Sequence, residues 1–435
     1  MKRTVMSVKK TYGLPPKDVA TICDVYRDIQ FDFDQGEIVT KFLSGVFGGS
    51  GKHLRSVTVD GEMKWGLIDE SRLSTVVDDL MLKHAISTKW SARNLLNQIE
   101  EMLLEHKASG VEDIKPEINA LVKDIFEKSF IEYEICMPIY GASIAKDSCI
   151  KIGKYSFMHI DYLTKKKYNR IMGADSIGSQ SKAWRAECFV CTNVCACEKE
   201  KAVELALTQF KWIENAIRMF LDSNKFNVGI TNYNDRWIER CVVAIKGREN
   251  AGLSSSLKGP IFPVRLEGIV FAKEFRRMIS LLGVPGSRLT EMQKRIKHAI
   301  YLCGLSTQAL DLSVAYFLCV AALEALFYRQ DNPYVSASSS QQIIEAFCYL
   351  IIDKDKRREY FDGMQDFYSK RSAFAHGGEK ELSEEDVLHV RQYVFAAISK
   401  LLTDENLCKI ATMSDLQSLI KDIKFGKKKQ KGLAT

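Results

Sequence analysis

The chain has no apolar run long enough to cross a membrane. Its longest, SVAYFLCVAALEALFY at 313–328, is 16 residues and contains Glu324, whereas a span needs about 20 residues and preferably no charge. It reads as a core helix. The opening residues, MKRTVMSVKKTYGLPP, carry early charges but no apolar h-region, so no signal peptide is expected. There is no internal repeat. Charge of one sign is also missing: 62 Lys and Arg stand against 55 Asp and Glu, a net +7. That mild excess is compatible with a nucleic-acid partner but does not demonstrate one. With no export signal, the twelve cysteines are expected to stay reduced as small apolar side chains. A cytoplasmic protein with no membrane partner follows as the expectation.

What is present is ordinary for a globular protein, 46% hydrophobic and 27% charged, so disorder is expected only at the tail. A length of 435 residues implies two or three domains. The expected class is mostly α with an α+β N-terminal region. Residues 1–130 read as mainly helical: SARNLLNQIEEMLLEH sets Leu95, Ile99, Met102 and Leu103 on one face, and Pro116 restarts a helix. Residues 131–260 read as an α+β accessory or recognition domain, with turn residues Gly141, Asp147 and Gly153 between short β-branched and aromatic runs. The polar stretch KGRENAGLSSSLKGP, 246–260, reads as a loop or linker. Residues 265–405 read as a helical domain, and 406–435 as a basic tail.

Three helices stand out in the helical domain. In the first, roughly 307–330, Leu310, Val314, Phe317, Ala321 and Ala325 form one stripe, and Glu324 sits among Cys319, Val320, Leu323, Leu326 and Phe327. A carboxylate there is expected to be partly buried, which is costly unless it is paired. The second helix runs through RREYFDGMQDFYSKRSAFAH, where Tyr360, Met364, Phe367, Arg371 and Phe374 form the apolar stripe. A guanidinium in that stripe needs a carboxylate or a phosphate, and Glu324 is the natural internal partner. The third helix begins at Ser383, which forms a capping box with Asp386; its buried face is Val387, Val390, Val394, Ile398 and Leu401. His376 follows Arg371 by five residues, about 500° of helix, so the two lie about 140° apart and do not share a face. They can meet at the helix end, which Gly377 and Gly378 mark, or across a two-fold axis with a second copy. On these residues alone, a structural Glu–Arg pair with a capping histidine stands beside a functional site.

RSAFAH followed by Gly377 resembles the R-x4-6-H signature of the HEPN superfamily, most closely its Apea-like group. The preceding AALEALF, 321–327, a connecting helix, the FY-x-x-RS-x-x-x-HG run and the final amphipathic helix are similar too, so the resemblance covers about 290–402. It implies a C-terminal HEPN-like helical bundle that forms a homodimer. It also implies a metal-independent endoribonuclease without a cofactor, of the kind found in toxins and antiviral defence, with RNA as partner, tRNA favoured, and a phage-derived or cellular trigger. His376 would be the acid or base, Arg371 would hold the phosphate oxygens, and Glu324 would orient Arg371, giving a 2′,3′-cyclic phosphate end. Many HEPN nucleases have Asn, Asp or His directly after the arginine; here it is Ser372, as in the Apea-like group, four residues before His376 and placed to orient it. The alternative is a non-catalytic bundle that dimerises and binds RNA or protein. A Glu–Arg pair closed off from solvent, with His376 facing away from any dimer cleft, would favour it.

Three other stretches carry weaker signals. GVFGGSGKH, 45–53, lacks the first glycine (Val46) and the final Ser or Thr (His53) of a phosphate loop. CFVCTNVCAC crowds Cys188, Cys191, Cys195 and Cys197 into ten residues, whereas zinc sites pair two separated knuckles; it reads as a strand with Cys188, Val190, Val194 and Ala196 on one face. LTKKKYNR mixes Lys165, Lys166, Lys167 and Arg170 with tyrosines, as RNA-binding surfaces do and as solvated turns do. His53, His84, His106, His159, His298 and His389 show no ligand spacing.

Overall fold

The computed structural model describes residues 14–31, 52–59, 62–83, 86–163, 170–172, 187–221, 228–230, 240–245, 250–255, 264–309, 311–329, 339–375 and 382–426. They are mostly helical, and no helix among them is long and apolar enough to cross a membrane. Contacts divide the chain into two compact units, one drawn from Met1–Tyr133 and Val194–Glu204, the other from Glu134–Asn193 and Leu205–Thr435. Residues of the 131–260 and 265–405 segments therefore share the second unit.

The first unit contains helix α1 (Pro16–Arg27), an antiparallel hairpin of β1 (Lys52–Val59) and β2 (Glu62–Asp69), and helices α2 (Glu70–Lys83), α3 (Ala92–Ala108) and α4 (Lys115–Glu127). Leu95, Ile99 and Leu103 turn inward as their spacing predicts, around a fully buried Trp90 whose indole N–H donates to the Ile125 carbonyl at 3.1 Å. The hairpin is an addition to the expected helices. Its signal is in the sequence: Asp60-Gly61 sits between HLRSVTV and EMKWGLI, a turn pair flanked by alternating apolar residues.

The first turn of α3 finds its acceptor far along the chain. Glu198, only 6% exposed, takes the Ser91 backbone N–H at 2.5 Å and the side-chain amide of Asn94. Burial pushes its carboxyl from 4.5 up to about 7, against the hydrogen bond from Ser91. Between those values the folded chain holds a proton that the unfolded chain has lost, so stability falls as pH rises through the window and is level above it. Glu100, pushed up by burial against the pull of Arg55, adds a slope of the same sign. Urea unfolding at pH 5 and pH 8 should show Glu198→Gln shrinking the loss of stability by about 2 kcal/mol. An unchanged slope would show that Glu198 is ionised in the fold.

The second unit holds most of a seven-stranded sheet, ordered β5-β6-β8-β3-β9-β10-β7. Its strands are β3 (Ile131–Ile139), β5 (Cys149–Ile152), β6 (Tyr155–His159), β7 (Arg170–Met172), β8 (Cys188–Ala196), β9 (Arg240–Ile245) and β10 (Asn250–Ser255). β4 (Ala142–Ser143) pairs in parallel with β11 (Val264–Arg265). Cys188, Val190, Val194 and Ala196 are buried, as the alternation of β8 requires. The same alternation sends Cys188 to the face opposite Cys191, so the four thiols do not converge. Among the described residues no cluster of metal-ligating side chains forms. The expectation of twelve reduced cysteines is overturned: Cys136 and Cys191 form a disulfide. They lie on neighbouring strands β3 and β8 with Cα atoms 4.0 Å apart, a non-local pairing that spacing in the sequence does not show.

Helix α5 (Lys199–Leu221), the short α6 (Glu267–Val270) and helices α7 (Lys273–Leu282), α8 (Glu291–Ser306), α9 (Leu312–Phe327), α10 (Ser339–Leu350), α11 (Arg357–Ala375), α12 (Glu384–Thr403) and α13 (Met413–Lys424) complete the chain. The sheet packs on α7 through Phe157 and Phe275, 6.1 Å between ring centres. Helix α9 is packed against α8, α10, α11 and α12. It buries Ala315, Tyr316, Cys319, Val320, Leu323 and Leu326. Of the stripe read from the sequence, Val314 is 51% exposed and Phe317, Ala321 and Ala325 are half-buried, so it is not the most buried side of the helix. α9 is apolar all round apart from Glu324, so periodicity does not select a face. Below it, Arg391 of α12 is buried and donates from Nε to Ser306 Oγ at 3.0 Å and from Nη2 to the Ser306 carbonyl at 2.7 Å.

Candidate functional site

Glu324 reaches its place because α9 is fixed at both ends. Asp311 caps its N-terminus, accepting from the backbone of Ser313 at 2.8 Å and Val314 at 3.2 Å. Arg295 of α8 donates to the Ala325 and Tyr328 carbonyls at its C-terminus, both at 3.0 Å. Arg371 is held by α11, whose stripe buries Met364 and Phe367. The Tyr316 hydroxyl ties the two helices, donating to the Phe367 carbonyl at 2.8 Å.

The pair anticipated from the sequence forms. Arg371 Nη2 lies 3.2 Å from Glu324 Oε1, with 37% of the arginine side chain and 27% of the glutamate exposed. It is a half-open pair, reached by solvent from one side. A pair so exposed contributes about 1 kcal/mol or less to stability. Arg371 Nε is buried and makes no hydrogen bond among the described residues. Beside it the buried Tyr368 hydroxyl is likewise without a partner among them. Burial raises the Tyr368 phenol well above its ordinary value, with the Glu324 charge adding to this and Arg371 opposing it. Tyr368 therefore remains a proton donor next to the pair.

Ser372 is exposed and adjacent to Arg371. His376, which follows the end of α11 at Ala375, lies outside the described residues, as do Lys165, Lys166 and Lys167. Arg170 is described only as part of the backbone of β7. The structure thus brings Glu324 and Arg371 together and places Ser372 beside them.

The surroundings include two residues that the sequence reading does not single out, Tyr368 and Lys370. Lys370 Nζ bonds Asp386 Oδ1 at 2.7 Å and approaches Asp366 Oδ2 at 3.3 Å. These bonds, that to Asp386 first, raise the Lys370 ammonium above its ordinary value. Asp386 also completes the predicted capping box with Ser383 at the start of α12. The Lys370 bridge therefore fixes the last turns of α11 to the first turn of α12, on either side of His376 in the sequence. Tyr368 is legible as the residue three before Arg371, on its helix face. Lys370 is one position away and reads as a solvated charge.

A cavity of about 220 Å³ lies elsewhere, lined by Arg277, Met292, Ile296 and Leu401 among others, and neither Glu324 nor Arg371 lines it. Compared with known proteins, the chain matches no family model, no curated protein and no solved structure.

Proposed function

We propose that the chain is a metal-independent endoribonuclease of HEPN type, with residues 265–405 as its HEPN-like bundle. One observation carries the reading: a guanidinium held 3.2 Å from a carboxylate on a neighbouring helix, yet still reached by solvent. A pair closed off from solvent would favour the non-catalytic alternative; this pair is half open.

RNA carries its own nucleophile, the 2′-OH. His376 takes or gives the proton, and Arg371, oriented by Glu324, places its donors on the phosphate oxygens as negative charge builds. Ser372 orients the imidazole or a phosphate oxygen. The 2′ oxygen displaces the 5′ oxygen of the next nucleotide, leaving a 2′,3′-cyclic phosphate and a 5′-hydroxyl. The exposed Val314 and the half-buried Ala321 and Ala325 beside Glu324 support pairing with a second copy, so that two protomers build one composite site. The role would be that of a toxin or antiviral effector cutting tRNA or another cellular RNA once a phage-derived or cellular trigger is present. In a reducing cytoplasm the Cys136–Cys191 disulfide is shielded, since the two residues are 0% and 1% exposed.

The test is expression of the parent, His376→Ala and Arg371→Ala with and without infection, with RNA ends mapped by sequencing. New cyclic-phosphate ends are expected in the parent alone. Ends in neither condition, or ends that persist in both variants, would move the protein to the binding-module reading.

A further inference from the structure

Away from Arg371, helices α8 and α5 of the second unit meet through their side chains, and the turn between β5 and β6 lies near enough for its lysine to feel the charge of Lys297. Helix α8 carries Lys294, Lys297, His298 and Tyr301, the last three lying three, four and seven residues after the first, on a single face. Lys297 Nζ stands 4.6 Å from the ring centre of Trp212 on α5. Trp212 in turn lies 4.8 Å from the Tyr301 ring, with the planes tilted by 48°. Lys154, from the turn between β5 and β6, has its Nζ 5.3 Å from the Tyr155 ring. Although the Lys154 side chain as a whole is exposed, the protein atoms crowded around its ammonium, and then the nearby Lys297 charge, lower it; burial lowers that of Lys297. Among the described residues neither lysine makes an ion pair with a carboxylate, and Lys154, Lys294 and His298 are exposed.

A single lysine over an indole is a common packing device. Two neighbouring ammoniums with no acid between them are a different matter, because each disfavours the charge of the other. A phosphate set between them would relieve that repulsion. The Trp212 and Tyr301 rings beside them provide π-faces, a combination that suits stacked bases better than acidic side chains. We propose that this surface docks single-stranded RNA, with a backbone phosphate between Lys154 and Lys297 and a base on the Trp212–Tyr301 pair. The proposal rests on the ribonuclease reading for the identity of the polyanion, and adds where the strand is held.

The test uses the full chain and a fluorescent 2′-O-methyl oligouridine, which lacks the nucleophilic hydroxyl and stays uncut. Binding is followed by anisotropy across a salt series. Lys154→Gln with Lys297→Gln is expected to weaken binding about tenfold and to flatten the slope of log K against log salt by about 0.7, the release from one phosphate. Both side chains reach solvent, so this variant should fold as the parent, with circular dichroism as the check. Trp212→Leu is expected to weaken binding about tenfold with the slope unchanged.

An unchanged slope in the double-lysine variant would overturn the proposal. So would a parent that does not bind, or polyglutamate competing as well as RNA, which would point to an acidic protein. Unmodified oligouridine bound with the same dependence yet left uncut in the presence of the trigger would sink the nuclease reading and leave this surface standing. Cleavage that is the same in parent and double-lysine variant would do the reverse.

Discussion

Arg371→Met is expected to lower RNA cleavage by about a thousandfold, the scale of losing a donor to a developing anion, while stability falls by about 1 kcal/mol or less. The two effects separate because the pair is half open. With 37% of Arg371 and 27% of Glu324 exposed, solvent screens their attraction, so the ion pair adds little to holding α9 on α11. The same exposure lets a phosphate reach the guanidinium. Glu324→Gln keeps an acceptor at 3.2 Å but removes its charge, and should cost about tenfold in rate. The double variant should cut no more slowly than Arg371→Met alone, since Glu324 acts through Arg371. Cleavage rates and melting temperatures of the four proteins, each in the presence of its trigger, check this. If Arg371→Met cuts within a few-fold of the parent, the nuclease reading fails. If it is instead strongly destabilised, the pair is a structural clamp.

Gly304→Ala should be the most damaging small substitution in the second unit. A Cβ at Gly304 would lie 2.4 Å from the backbone oxygen of Asn215 and 2.5 Å from its Cα. These are backbone atoms of α5, which cannot turn aside as a flexible side chain would. The methyl group must push α8 away from α5, and overpacking of this kind costs roughly 3 kcal/mol. Urea unfolding should show the loss, accompanied by weaker contact between Trp212 and Tyr301, which lie on the same two helices. Gly286→Ala is the control: a methyl group there would meet nothing within 4 Å, so the change should be nearly silent. A Gly304→Ala protein as stable as the parent would mean that the two helices can part at little cost.

The site was partly readable from the sequence, for a physical reason. Arg371 interrupts an otherwise apolar stripe, and a cation in such a place demands a partner; Glu324 is the acid on the preceding apolar helix. Ser383 and Asp386 were readable because a capping box is a local pattern. The buried side of α9 was not, because a helix apolar on every face leaves the choice to its neighbours. The Cys136–Cys191 link, the Arg391–Ser306 contact and the Lys154–Trp212–Lys297 surface depend on segments distant in the chain. Arg391 is flanked by Val390 and Val394, and a single charge beside apolar positions reads as the edge of an exposed face. The β1–β2 hairpin was readable from Asp60-Gly61, a turn pair that is a local pattern as the capping box is. His376 and Lys165 to Lys167 lie outside the described residues.

The first unit is not continuous along the chain: its body ends at Tyr133 and its remainder returns at Val194–Glu204. During synthesis this becomes a matter of timing. At ribosomal speed, the interval between the two segments takes on the order of ten seconds. For that time the first turn of α3 lacks the carboxylate of Glu198, and the Cys197 backbone N–H, which bonds the Lys89 carbonyl at 3.2 Å, has not yet arrived. The nascent chain must wait unfinished while residues of the second unit emerge. Pauses or truncations before Glu204 should therefore leave a protease-sensitive first unit, and a gene fragment ending at Tyr133 should yield one that does not close.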